Sequence, residues 1–328
     1  MLKMEEEQMK KKLILPTLLA TVFLTACGPD TPPNDTATEQ ETPVVETEQK
    51  AQQDEADNWT RVETDAAITH IHGAGFWQDD ARPVVATHHG LMEYRDDGWY
   101  ELMSNRHDYM GFELVEDGFY ASGHPERQSA FKNPLGVVRG TDRGETLEVR
   151  SLEGEADFHH MSAGYTSESL YVYLEEPTSE LRPGFYRSLD KGETFEPMKM
   201  EGTARHGIAG LLADATEPLR MYVYGPNGML VSDDGGDTFD TLISGEHILL
   251  AATDGPTIAY VRDASDYELV LRQDEGETVL PLPNLEADAV PIELAIEEER
   301  LLLATSDNSV YLFEDGNWSV LLQAGVAK

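Results

Sequence analysis

The chain predicts an all-β fold, and three observations carry that reading. One acidic turn returns at a regular interval. Runs of four to eight strand-forming residues lie between Gly, Pro and Ser punctuation. No stretch of the domain pairs helical periodicity with helix caps. The turn reads "GTDRGETL" around Asp142, "SLDKGETF" around Asp190, "SDDGGDTF" around Asp234 and "RQDEGETV" around Asp274, with shorter forms at Asp96 and Asp315. Successive copies are 46, 48, 44, 40 and 41 residues apart. A period in that range is the mark of a repeat architecture. Each unit holds four strands; in the third they are "DFHHMSAGY", "ESLYVYLEE", "RPGFYRS" and "ETFEPMKM". Evenly spaced four-stranded sheets predict a β-propeller. Six blades fit the count, and the strand-like "NWTRVET" before the first leaves seven blades, or a strand donated to close the ring, as the alternative.

The organisation before the repeats is read from composition. Residues 1–27 hold lysines, an apolar run from Leu13 to Leu24 and small closing residues. That is the plan of a secretory signal peptide, and about a dozen apolar residues fall short of the roughly 20 that span a bilayer. Residues 28–57 are rich in Pro, Thr, Glu and Gln and predict a disordered acidic tether. Residues 58–328 form the propeller. The formal charge of −38 argues against nucleic acid as a partner. Cys27 is the only cysteine, so the domain must stand on its core without disulfides.

Leu24-Thr25-Ala26-Cys27 resembles a bacterial lipobox. The resemblance implies cleavage before Cys27, lipid on its sulfur, and a protein held on the outer face of the cell membrane. Two acyl chains satisfy what stable anchoring needs.

The turns have a mechanical reading. Gly144, Gly192, Gly236 and Gly276 supply positive φ. Asp142, Asp190, Asp234 and Asp274 accept backbone N–H groups as Asx turns do. The hydroxyls of Ser188, Thr194, Ser232 and Thr238 tie the strand ends, and Phe195 and Phe239 anchor between sheets. A calcium loop would need more oxygen ligands and a distal glutamate. The pattern S-x-D-x-G-x-T-F is similar to the Asp-box, or bacterial neuraminidase repeat, of sialidases and related propellers, which implies a fold marker rather than an active site.

Function is sought at the innermost strands, which line the channel of a propeller. "THIHGAG", "DYMGFEL", "DFHHMSA", "ARHGIAG" and "GEHILLA" place His72, Met110, His159, His206 and His247 in a column. His70, His88, His89, His107 and His124 fall at the rim. Imidazoles in a ring suit copper or zinc, with His72, His159, His206 and His247 as the ligand set; histidines packing a tight channel wall are the alternative.

"HIHGAG", "ATHHGL", "YASGHP", "NPLGVVRGTDRGET" and "GEADFHH" resemble a family of bacterial propeller lipoproteins labelled sialidase-like or glycosyl hydrolase-like. The resemblance implies extracellular glycans as substrate. A sialidase needs three arginines, a Tyr–Glu nucleophile and an aspartate acid; no Arg-Ile-Pro tripeptide occurs, and no spacing gives Arg82, Arg106, Arg139, Arg205, Tyr109 or Tyr165 such roles. P-loop, G-x-S-x-G and H-E-x-x-H motifs are absent from the sequence. The sequence therefore favours a binding or assembly module working at the channel, with a glycosidase as the alternative.

Overall fold

The computed structural model describes residues 58–63, 67–204, 207–273 and 276–327. The leader, Cys27 and the tether lie outside these residues, as do Arg205, His206 and Asp274.

Six antiparallel sheets follow one another along the chain, each a meander running from an inner to an outer strand. The innermost strands are Ile71–Phe76, Asp108–Val115, His160–Ala163, Gly210–Ala213, His247–Asp254 and Pro291–Glu297. Each meets the next, and Pro291–Glu297 meets Ile71–Phe76. The molecule is a six-bladed β-propeller, and among the described residues its only helical element is the 3-10 turn Asp142–Gly144.

Burial follows from this geometry. A second strand is covered on both faces by neighbouring blades, so it reads as an unbroken apolar run. Val84, Val85 and Ala86 in blade 1, and Leu170, Tyr171 and Val172 in blade 3, are fully buried. Each buried valine or leucine side chain contributes roughly 1.5–3 kcal/mol by leaving water. Outer strands face solvent; Gly276–Leu280 is exposed along almost its whole length.

Ring closure differs from a donated strand. Trp59–Arg61, within the "NWTRVET" segment, pairs with Gly98–Leu102 as a fifth, outermost strand of its own blade. Blades 1 and 6 instead close by packing and by a short backbone bridge of Ala67 with Val326. Ile71, Phe76 and Trp99 share a core with Leu302, Leu312 and Leu322. The Trp99 Nε1–H donates to the Leu321 carbonyl at 2.9 Å, and the Ile68 N–H to Gly325 at 2.7 Å.

The acidic turns join third and fourth strands. Ser232 Oγ donates to Asp234 Oδ1 (2.8 Å) and accepts the Gly236 N–H (2.9 Å). Asp234 accepts the Thr238 N–H (2.8 Å) and hydroxyl (2.7 Å). Ser188, Asp190, Gly192 and Thr194 repeat the arrangement. Gly236 has φ 90°, and a Cβ there would lie 2.3 Å from Met198 Sδ. At Asp142 only the Thr146 hydroxyl bond recurs, at 3.0 Å, because Gly140 stands where Ser232 would be.

Candidate functional site in the central channel

Strand pairing defines how the blades line the channel. In four inner strands the register slips by one residue, at His72, Met110, Leu249 and Ile292. These β-bulges leave the extra residue unpaired. Counting from the matched pairs in blades 3 and 4 puts His159 and Ala209 at the same level. His72, Met110 and His159 thus share one row, as the repeats suggest. His247 lies two places before its bulge, level with His70 and Asp108; it is exposed at the start of its strand and pairs with Asp263 at 3.4 Å.

The mouth at this end is crowded with imidazoles. His70 and His72 come from the inner strand of blade 1, and His88 from the turn after its second strand. One ring nitrogen of each lies within 4.8 Å of the other two. The His70 and His88 rings stack at 4.4 Å, and those of His72 and His88 at 4.7 Å. His70 has φ 57°, with its N–H fixed on Asn308 Oδ1 at 2.8 Å. His88 Nε2 lies 3.8 Å from Asp108 Oδ1. Next door, Asp157 Oδ2 takes His159 (3.0 Å) and His124 (3.2 Å). Three buried polar atoms here lack a hydrogen-bond partner: His72 Nε2, Asp108 Oδ1 and Asp157 Oδ1. Burial and the neighbouring His88 hold the His72 imidazole below its usual pKa, against the pull of Asp108.

Two rim histidines do other things. His107 is buried, accepts the Glu126 N–H at 3.1 Å and packs edge-on against Phe131, so it is part of the core. His89 is exposed beside His88.

Below the mouth the channel opens into a cavity of about 550 Å³ lined from all six blades. The row beneath the bulges holds Gly73, Gly111 and Gly210, and a Cβ on Gly111 would strike the Phe158 carbonyl at 2.4 Å. The absent side chains let neighbouring blades close in around the hub. Three polar groups enter it from alternate blades: Glu113, Tyr224 and Glu293. Burial pushes the Glu293 carboxyl up to about 8. Burial, then Glu293, lifts Glu113 well above the usual range, although the Ala163 N–H hydrogen-bonds it. Burial and both glutamates raise the Tyr224 phenol.

The far end is acidic. Asp254, Glu297 and Glu298 line it. Burial, joined by Glu298 and Asp254 and opposed by Arg300, raises Glu297. The channel therefore runs from imidazoles to carboxylates.

The sequence reading did not reach Glu113, Tyr224 and Glu293. Three arginines do surround one carboxylate, but it is the protein's own: Arg82, Arg95 and Arg143 hold the buried Glu93 at 3.4, 2.6 and 2.9 Å.

No protein-family model and no curated protein matches the chain. Among solved structures it is similar to the GH74 xyloglucanase from Xanthomonas campestris (16% identity, 80% of this chain and 46% of that one, TM-score 0.49). A GH74 enzyme of Niastella koreensis gives 13% identity over 81% and 47%, with a TM-score of 0.49. YCF48 from Cyanidioschyzon merolae gives 14% over 83% and 90%, with a TM-score of 0.45. The chain spans a little under half the length of the two GH74 structures. At these identities no substrate or partner carries over.

Proposed function

We propose that the protein is an exported, lipid-anchored binding module that takes a small polar ligand into the channel of its propeller. The observation that carries this reading is the convergence of Glu113, Tyr224 and Glu293 on one enclosed cavity. No hydrogen bond offsets the burial of Glu293, and leaving a polar group buried without a partner costs stability. A ligand bearing hydroxyl or amine groups would supply the missing bonds. Concave sites with few convergent polar groups and shifted titrations are where ligands bind. Export and anchoring rest on the sequence through Leu24–Cys27. Their test is Cys27→Ala, which should move the protein out of the membrane fraction and abolish fatty-acid labelling.

The cavity is tested by thermal shift against neutral monosaccharides and small primary amines. A rise in Tm with one class, lost in both Glu113→Gln and Glu293→Gln, supports the reading. Equal shifts in wild type and variants would contradict it. Calorimetry in two buffers of different ionisation enthalpy separates the classes, because an amine draws the proton off Glu293 and a sugar does not.

A second reading has one observation behind it. A pair of carboxyl groups in one cavity, with the Glu293 pKa raised as a general acid needs, is part of the equipment of a glycosidase. Release of nitrophenol from aryl glycosides, lost in both glutamine variants, would convert the binder into a hydrolase.

A further inference from the structure

We infer that His70, His72 and His88 form a site for one divalent transition-metal ion of the zinc–copper class at the channel mouth. The site is independent of what occupies the cavity below.

Three features of the cluster point to a ligand. The nitrogens of the three imidazoles already lie within 4.8 Å of one another. Tetrahedral zinc with nitrogens at about 2.1 Å holds them about 3.4 Å apart, so the stacked rings must turn out of parallel to bring their lone pairs onto one ion. Second, His72 Nε2 is buried with no hydrogen-bond partner. His107 Nε2 is unpartnered too, but that ring packs against Tyr109 and Phe131, whereas His72 stands with two further imidazoles. Third, the scaffold is fixed before any ion arrives. His70 is held in left-handed backbone by Asn308 of blade 6, and Asp108 from blade 2 stands 3.8 Å from His88 Nε2. Brought to hydrogen-bond distance, a carboxylate behind a ligating histidine orients the ring and raises its basicity. Three neutral nitrogens select zinc or copper over calcium or magnesium, which take oxygen. Three protein ligands leave a fourth position open.

The ligand set differs from the column expected from the repeats. It draws on one blade and its turn, with His72 common to both.

The test uses the full chain without a polyhistidine tag, stripped with chelator and titrated with Zn(II) in excess Mg(II), which occupies the acidic surface. The expected result is one equivalent bound, and a Co(II) form with the intense visible absorption of a four-coordinate nitrogen site. His72→Ala and His88→Ala should each weaken binding on the order of 100-fold or more, and Asp108→Asn about 10-fold. His89→Ala, beside the cluster but outside it, should bind as wild type does. Wild type that takes up no zinc, or that gives a weak Co(II) spectrum unchanged by His88→Ala, overturns the site. Circular dichroism of each variant, unchanged from wild type, excludes misfolding as the cause of lost binding.

Discussion

The turn at Ser232–Phe239 and the mouth of the channel are both dense in acids and polar side chains, yet they treat them in opposite ways. In the turn both Asp234 oxygens accept hydrogen bonds, as does the Ser232 hydroxyl. Against the opposing effect of burial, the bonds from Thr238, Ser232 and Asp237 draw the Asp234 carboxyl down to about 2. At the mouth, polar atoms of His72, Asp108 and Asp157 are enclosed without partners, and in the cavity below it burial drives the Glu293 carboxyl up. A group whose bonds are complete holds the fold together. Enclosed groups with bonds missing, gathered at one channel, mark a place where the fold gives up stability.

The largest expected effect tests whether the hollow is part of the architecture. Gly111→Ala puts a Cβ 2.4 Å from the Phe158 carbonyl and should destabilise by about 3 kcal/mol, read by urea denaturation. Loss under 1 kcal/mol would mean the blades can relax apart, and the cavity is not fixed by strand approach.

Next comes the contrast in pH dependence. Glu293 has a folded pKa of about 8 against an ordinary 4.5. The folded state therefore binds more protons between these values, and stability falls as pH rises through that window. Glu293→Gln removes the penalty and should stabilise the protein by on the order of 2 kcal/mol above pH 8 and little at pH 5. Asp234 behaves with the opposite sign. Its folded pKa of about 2 lies below 3.8, so its contribution is present above 3.8 and disappears as pH falls through 2.

Asp234→Ala should destabilise by about 1–2 kcal/mol at pH 7 through lost turn hydrogen bonds, checked by the same denaturation series. The smallest effect is expected at the mouth. His88→Ala, measured without metal, should alter stability by no more than about 0.5 kcal/mol. A loss as large as that of Asp234→Ala would make the imidazole stack structural and erase the contrast.

How much of this was legible in sequence follows from the range of the interactions. The blades were readable because each turn is local: Ser232, Asp234, Gly236 and Thr238 bond within seven residues. The histidine concentration was readable by residue type, and His72, Met110 and His159 fall in one row. His247 left the column because the repeats were aligned on a letter, while the chain aligns on the bulge, which in blade 5 is Leu249. The segment that left a donated strand as an alternative pairs locally, and closure by Trp99 against Leu321 joins residues 222 apart. Glu113 and Glu293 were two among 62 acids. What sets them apart is that strands of blades 2 and 6 bring them to one cavity, and no window of sequence contains both.

The most direct measurement is a carbon-13 NMR titration of the glutamate side-chain carboxyls, assigned with Glu293→Gln and Glu113→Gln. A hub that shields its carboxyls from water predicts Glu293 titrating near 8 and Glu113 well above the ordinary range. Both carboxyls titrating near 4.5 would mean that water or other groups already satisfy them, and the channel would lose its standing as the site.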